Sequence, residues 1–289
     1  MAKLFRRTEA ATPDPGSDAR YLRFPILDVQ PAITDPVVPK PQAAPGTIAF
    51  RNVTFRYPGA EEPVLHDIDF EVRRGEFTAI VGGTGSGKTT VIGLIARFFD
   101  VSDGQVLVGG TDVREQTLES LYRSIGLVPQ RAYLFGGTIR ENVSFGVPGM
   151  SDDAVWHALE IAQAADYVRE FEQGLDHEVA QGGQNLSGGQ RQRLAIARAL
   201  ALRPDIYILD DSFSALDAAT DARLRAALAR EMQGSTVLVV AQRVSTVLHA
   251  DRIIVLDEGS IAGIGTHDEL MSTCTAYREI VGSQLGVTV

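Results

Sequence analysis

A chain of 289 residues, 44% hydrophobic and 22% charged, has the make-up of one large or two small folded domains and excludes a protein disordered throughout. A net charge of -10 argues against a nucleic-acid partner, which is marked by a clustered basic surface, and reads more simply as a solvated acidic exterior. Cys274 is the only cysteine, so no disulfide closes within the chain, and the longest apolar runs stop far short of the roughly 18 residues that span a bilayer. The N-terminal MAKLFRRTEAATPDPG lacks the apolar stretch of a secretory signal. A soluble, cytosolic domain is expected, with any membrane role resting on a partner or a missing part.

Residues 10–46 hold prolines at 13, 15, 25, 31, 36, 39, 41 and 45, a density that rules out helix and central strand. Residues 1–46 therefore read as an extended linker, with 21–29 a candidate to dock on a neighbour. From Thr47 the character changes. IAFRNVTFRY alternates apolar and polar residues at period two and runs into a Pro58-Gly59 turn; residues 64–72 alternate again, and Arg74-Gly75-Glu76 turn the chain into FTAIV. Beyond a glycine-rich loop, VIGLIARFF is apolar almost all round and predicts a buried helix. Residues 104–108 and 125–128 are short strands with a turn at Gly109-Gly110. Strand signals then fade; SDDAVWHALEIAQAADYVREF, residues 151–171, predicts one helix with Ser151 as its N-cap. A helix over 190–202, strand IYILDD, amphipathic helix DARLRAALAREMQ, strands STVLVVA and RIIVLDEG, and a helical tail over 267–285 complete the chain. Strands alternating with helices predict a doubly wound α/β core, with no internal repeat.

The chemistry concentrates at residues 77–90, FTAIVGGTGSGKTT. Gly82, Gly87, Lys88 and Thr89 satisfy G-x-x-x-x-G-K-[ST], within a loop formed by Gly82, Gly83, Thr84, Gly85, Ser86, Gly87, Lys88, Thr89 and Thr90. Glycine is needed because successive backbone N–H groups must turn inward around an anion, which demands positive φ and no Cβ in the way. Lys88 is placed to reach the β- and γ-phosphates and Thr89 to offer its hydroxyl to Mg²⁺, with the following helix pointing its positive end at the charge. The plainer alternative is a glycine-rich strand-to-helix turn. An acid ending a neighbouring buried strand is required to hold the metal, and IYILD supplies Asp210. Leu186, Ser187, Gly188, Gly189 and Gln190, directly before a helix, offer a hydroxyl and glycine amides as a second anion site, or else a glycine-rich cap.

LSGGQ followed by RQRLAIARAL resembles the signature of ATP-binding cassette ATPases, and the likeness runs over about residues 47–281. It implies a P-loop NTPase (RecA-like) core with an N-terminal antiparallel β subdomain and an α-helical subdomain at about 130–189, the cassette covering 47–285. It also implies ATP and Mg²⁺ as ligands, and head-to-tail pairing of two cassettes with each nucleotide between one phosphate loop and the other signature. Tyr57 matches the aromatic that stacks on adenine, Gln130 the glutamine that reaches the metal, and residues 214–217, ending in Asp217, the loop that contacts the opposite cassette. TIRENVSFG and ILDVQPAITDP look exporter-like, which points to a missing membrane-spanning half whose coupling helices the cassette would meet at the cytoplasmic face of the membrane.

Three positions depart from the pattern. Asp211 stands where active cassettes carry the glutamate that polarises the attacking water, shortening the reach by one C–C bond, roughly 1.5 Å. Gln242 replaces a histidine that contacts the γ-phosphate and, unlike it, cannot become cationic. Gln181 occupies a position where exporters usually carry glutamate. With the binding parts kept, the combination resembles the degenerate-site subunit of a heterodimeric exporter, an ATPase whose own site turns over slowly while its signature completes the partner's. The alternative is a regulatory module controlled by ATP occupancy. Soluble cassettes of the translation or DNA-repair type are disfavoured by the lack of a second cassette or coiled-coil insertion, and an importer cassette by the exporter-like segments.

Overall fold

The computed structural model describes residues 5–6, 30–212, 216–241 and 247–285. Two sheets carry the fold. The first is antiparallel, in the order β4-β3-β6-β7, and is built from β3 (Ile48–Phe55), β4 (Leu65–Val72), β6 (Asp103–Val108) and β7 (Thr111–Asp112). Its strands show the expected alternation: β4 buries Leu65, Ile68, Phe70 and Val72 and exposes the residues between them. Phe50 and Phe70 face each other across β3 and β4, with ring centroids 4.6 Å apart.

The second sheet has the order β14-β13-β5-β12-β11-β8, from β5 (Phe77–Gly82), β8 (Ile125–Val128), β11 (Ile206–Asp210), β12 (Thr236–Val240), β13 (Arg252–Asp257) and β14 (Ser260–Gly265). All neighbours are parallel except β13 and β14. β11 and β12 are buried along their whole length, because parallel strands are covered on both faces. Alternate residues of β5 feed two cores: Ile80 packs with the antiparallel sheet and α1 (Lys88–Ile95), while Ala79 and Val81 join the core beneath α6 (Gly188–Ala201). Among the described residues the remaining helices are α2 (Leu118–Ser124), α3 (Ile139–Val143), α4 (Asp152–Ile161), α5 (Ala165–Glu170), α7 (Ala218–Glu231), α8 (His267–Thr273) and α9 (Thr275–Leu285). Two-residue pairings, β1 (Phe5–Arg6) with β2 (Gln30–Pro31) and β9 (Gly137–Thr138) with β10 (Glu178–Val179), complete the strands among the described residues.

Several expectations are corrected. The helix predicted over 151–171 is two helices: Gln163 adopts φ 57, and the Ala164 amide reaches back to the Leu159 carbonyl while that of Gln163 bonds Glu160, a Schellman turn that ends α4. Its predicted cap holds, since Ser151 Oγ accepts from the Ala154 amide at 3.3 Å. VIGLIARFF stops at Ile95 for the same reason, with Arg97 at φ 51 and the Phe98 amide on the Gly93 carbonyl. The tail is two helices broken at Cys274. β14 was absent from the prediction because SIAGIG holds two glycines and no regular alternation of polarity.

The described part of the proline-rich segment is extended and strapped to the antiparallel sheet. Ala44 N–H donates to the Gly109 carbonyl at 2.6 Å, Lys40 pairs with Glu115, Gln42 donates to Gln116 and Ser124, and Asp35 caps the Leu118 amide of α2. Residues 21–29 lie outside the described residues. Gly109 serves this contact as well as its turn: its φ is +62, and a Cβ there would strike the Gln42 side chain. Gly109→Ala is expected to cost about 1–3 kcal/mol in urea unfolding of the chain, from the left-handed φ plus the clash.

Candidate functional site

The glycine-rich loop sits where β5 ends between β12 and β13, at the carboxyl edge of the parallel sheet. Two of its glycines are sterically enforced. A Cβ on Gly82 would collide with the Leu256 carbonyl oxygen and Ser86 Oγ, and one on Gly87, at φ +100, would meet Leu65 Cδ2 at 2.5 Å. Gly85 also has positive φ, at +84, with open space beside it, so its constraint is conformational. α1 then begins at Lys88 with no side-chain cap, so its first amides have no side-chain partner.

Lys88 Nζ donates to the Gly82 carbonyl at 2.9 Å, the Gly83 carbonyl at 2.7 Å and Ser86 Oγ at 3.3 Å. Burial pulls this ammonium below its ordinary range, opposed by the charge of Asp210. Asp210 closes β11, one strand beyond β12, about 10 Å across the sheet from the end of β5 at ordinary strand spacing. Burial pushes its carboxyl up, the Asp211 charge adds to that, and Lys88 pulls the other way. Thr89 is exposed beside the loop, whereas Thr90 is buried and its Oγ1 lies 3.0 Å from the Tyr57 hydroxyl. That bond, with edge-on contacts from the Tyr57 ring to Phe55 and Phe99, fixes the tyrosine against the loop helix.

Asp211 leaves the strand at φ 42 with its amide on the Val240 carbonyl, and Gln130 Nε2 reaches its Oδ2 at 3.4 Å. Gln130 and Asp211 are thus brought together, whereas Gln242 and residues 214–215 lie outside the described residues. Asp217 caps α7, accepting from the Thr220 amide at 2.9 Å, and those hydrogen bonds hold its carboxyl below the usual range.

Residues 186–190 form the start of α6. Ser187 and Gln190 make a reciprocal capping box at 3.2 and 2.8 Å, Leu186 is buried, and Ser187 and Gly188 face solvent. Among the described residues no hydrogen bond or ion pair joins 186–190 to the glycine-rich loop. Two arginines missed in the sequence organise this start. Arg191 donates to the Gly183 and Leu186 carbonyls, and Arg193 to those of Gly189 and Gln163, with its guanidinium 4.7 Å over the Tyr167 ring. Their signal was present: two cations opening a helix that is otherwise mostly buried. Gln181 bonds the Tyr133 hydroxyl at 3.3 Å.

A second surface lies on the flank of α6. A groove of about 780 Å³ is walled by α2, β8 and residues 133–146. Five of the nine large hydrophobic side chains exposed among the described residues rim it: Phe98, Tyr122, Tyr133, Phe135 and Phe145. An apolar concentration of this kind marks an interaction surface.

Residues 65–214, which run from the start of β4 through the loop, Asp210 and α6, match the family model of the ABC transporter. The chain belongs to the ABC transporter family. Its ATP-binding domains form a family of ATPases, and the fold here is that P-loop NTPase core with its antiparallel β subdomain. The chain is 48% identical over 272 residues to an uncharacterized ABC transporter ATP-binding protein of Mycobacterium tuberculosis, a match covering 91% of the chain and 46% of the relative. It is 41% identical over 235 residues to a putative multidrug export ATP-binding/permease protein of Bacillus subtilis, covering 81% of the chain and 40% of that protein. A bacterial Atm1-family ABC exporter solved with ATP bound superposes at a TM-score of 0.87 and 35% identity, over 92% of the chain and 46% of the exporter chain. The chain thus spans less than half the length of these relatives, and among its described residues no helix is long and apolar enough to cross a membrane.

The raised carboxyl of Asp210 carries a stability consequence. A folded-state proton affinity above the unfolded one penalises the ionised fold, and the penalty grows as pH rises through the carboxylate range. Asp210→Asn is therefore expected to raise the urea midpoint of the nucleotide-free, metal-free cassette at pH 7, with the gain shrinking toward pH 3; an equal or lower midpoint at pH 7 would contradict it.

Proposed function

We propose that the cassette is the ATP-binding and ATP-hydrolysing subunit of an ABC exporter, with a weakly hydrolytic site of its own and a signature motif that completes the site of a partner cassette. One observation carries the second half: the residue that leaves β11 after Asp210 is Asp211, within reach of Gln130, where a longer carboxylate would be needed to reach an attacking water. A misplacement of about 1 Å at such a centre costs on the order of a hundredfold in rate.

In this reading the amides of residues 83–90 hold the triphosphate, and Lys88 gives up its loop carbonyls for the β- and γ-phosphate oxygens. The glycine-lined loop fits such a ligand, since a Cβ at Gly82 or Gly87 has no room. Tyr57 stacks on the base, its hydroxyl already engaged by Thr90. Thr89, Gln130 and Asp210 suit Mg²⁺, a hard cation that takes a few oxygen ligands alongside phosphate, and the ion would neutralise charge developing on the transferred group. No group of three or more His, Cys, Asp or Glu is placed for a metal among the described residues, which agrees with a site completed by nucleotide. Gln242 in place of a chargeable histidine would leave transition-state charge less well met.

The departures at Asp211 and Gln242 favour head-to-tail pairing with a second cassette, of a different subunit that supplies the missing glutamate and histidine. Asp217, exposed at the start of α7, would face that partner. We assign residues 1–46 as the linker from a membrane-spanning half, 47–285 as the cassette and about 130–189 as its helical subdomain. The apolar groove is the surface on which coupling helices of that half would dock, at the cytoplasmic face of the membrane. The same departures at Asp211 and Gln242 also favour a second reading, in which ATP occupancy rather than turnover regulates the transporter.

The purified chain is expected to bind ATP, to lose that binding in Lys88→Ala, and to hydrolyse ATP barely above background; brisk turnover abolished by Lys88→Ala would refute the weak-site assignment. In the assembled transporter, Asp211→Glu with Gln242→His is expected to raise steady-state hydrolysis on the order of tenfold or more. Unchanged hydrolysis would favour the occupancy reading.

A further inference from the structure

The groove beside α6 holds a charge that no carboxylate neutralises among the described residues. Arg198 projects from α6 into its floor and donates Nε to the Asn142 carbonyl at 2.9 Å, Nη1 to the Tyr133 carbonyl at 3.1 Å and Nη2 to Asn142 Oδ1 at 2.7 Å. Its guanidinium lies 5.1 Å from the centroid of Phe135 and 6.0 Å from that of Phe145. Every one of these partners is neutral. Among the described residues no carboxylate pairs with Arg198, while the other lining cation, Arg123, is matched by Glu119 at 2.9 Å. Burial lowers the basicity of Arg198 with no opposing charge. The groove therefore carries a surplus positive charge in a chain whose net charge is -10.

A guanidinium has five N–H groups, and the three hydrogen bonds leave one on each terminal nitrogen for water. A purely apolar occupant would strip that water and bury an unpaired cation, which costs several kcal/mol in general. A carboxylate would instead meet both remaining N–H groups as a charge-assisted pair, with the five rim aromatics covering the rest.

Resting on the docking role assigned to this groove, we propose that the segment of the membrane-spanning half that seats there is a helix with an apolar face and a single Asp or Glu directed at Arg198. Because Arg198 and the signature residues share α6, with Arg198 eight residues beyond Gln190, the pair would tie the membrane half to the helix that carries the signature.

The test uses the complete transporter in lipid, with Phe145→Cys on the groove rim and a short bismaleimide to cross-link it to cysteines introduced along the cytoplasmic loops of the membrane half. Efficient cross-linking is expected, and its absence at every position would overturn the docking role and this proposal with it. On that background Arg198→Glu is expected to cut the cross-link yield about tenfold and Arg198→Lys to retain most of it. Changing each acidic loop residue to Lys in turn should reveal one reversal that restores the yield of Arg198→Glu. Should Arg198→Glu fail to fold, Arg198→Gln with an unchanged unfolding midpoint serves instead, and a several-fold loss is expected. Full yield in a folded Arg198→Gln or Arg198→Glu, or no acidic position whose reversal restores it, would overturn the carboxylate while leaving the docking role standing.

Discussion

Gly82 has no space for a β-carbon, and much of the molecule follows from that. The residue ends the strand at the centre of the parallel sheet, where the Leu256 carbonyl of β13 and the Ser86 hydroxyl close in on it. Five residues on, Gly87 is pressed against Leu65 at the start of β4, so the loop is wedged between the two sheets. A loop squeezed from both sides has few backbone paths open to it. It lies at the carboxyl edge of the sheet, where β11 delivers Asp210 and β8 leads to Gln130. Close packing of the sheets and the path of the loop are, at this point, the same fact.

The charges around the loop are poised rather than neutralised. Lys88 and Asp210 are both partly withdrawn from water and each is displaced toward its uncharged form, while Asp211 adds a second negative charge on the same side. Such an arrangement is costly to the free chain and suits a site completed by a polyanion and its counter-cation. α6 stands at the other end of the functional layout. Its first turn consumes Ser187 and Gln190 in a capping box, its arginines 191 and 193 hold the preceding carbonyls in place, and its flank reaches the aromatic groove through Arg198. One rigid element therefore addresses two surfaces.

Local pattern carried far in this chain because most elements obey it. Period-two alternation located β3 and β4, mostly apolar runs located β11 and β12, and a serine followed by two acids located the start of α4. The misses share a cause. Gln163 and Arg97 end helices in a left-handed conformation that their side chains do not favour, so no glycine marks the break. What accompanies them is a side-chain contact: Arg193 binds the Gln163 carbonyl from α6, and the buried Arg97 bonds Asp100, three residues on, at 2.9 Å. β14 is likewise supported by its pairing with β13 and by α8, whose Leu270 would touch a Cβ on Gly263, more than by its own residues.

The sequence by itself determined the family likeness, the glycine-rich loop motif and the two substitutions at Asp211 and Gln242, because these depend on residue identity at fixed spacing along the chain. Only the tertiary structure decided that Tyr57 is locked by Thr90, that Gln130 reaches Asp211, that the proline-rich segment is strapped to Gly109 and α2, and that α6 lines an apolar groove with Arg198. Each of those pairs residues separated by tens of positions. Which of them meet is settled by how two sheets and their helices pack, and local pattern holds no record of it.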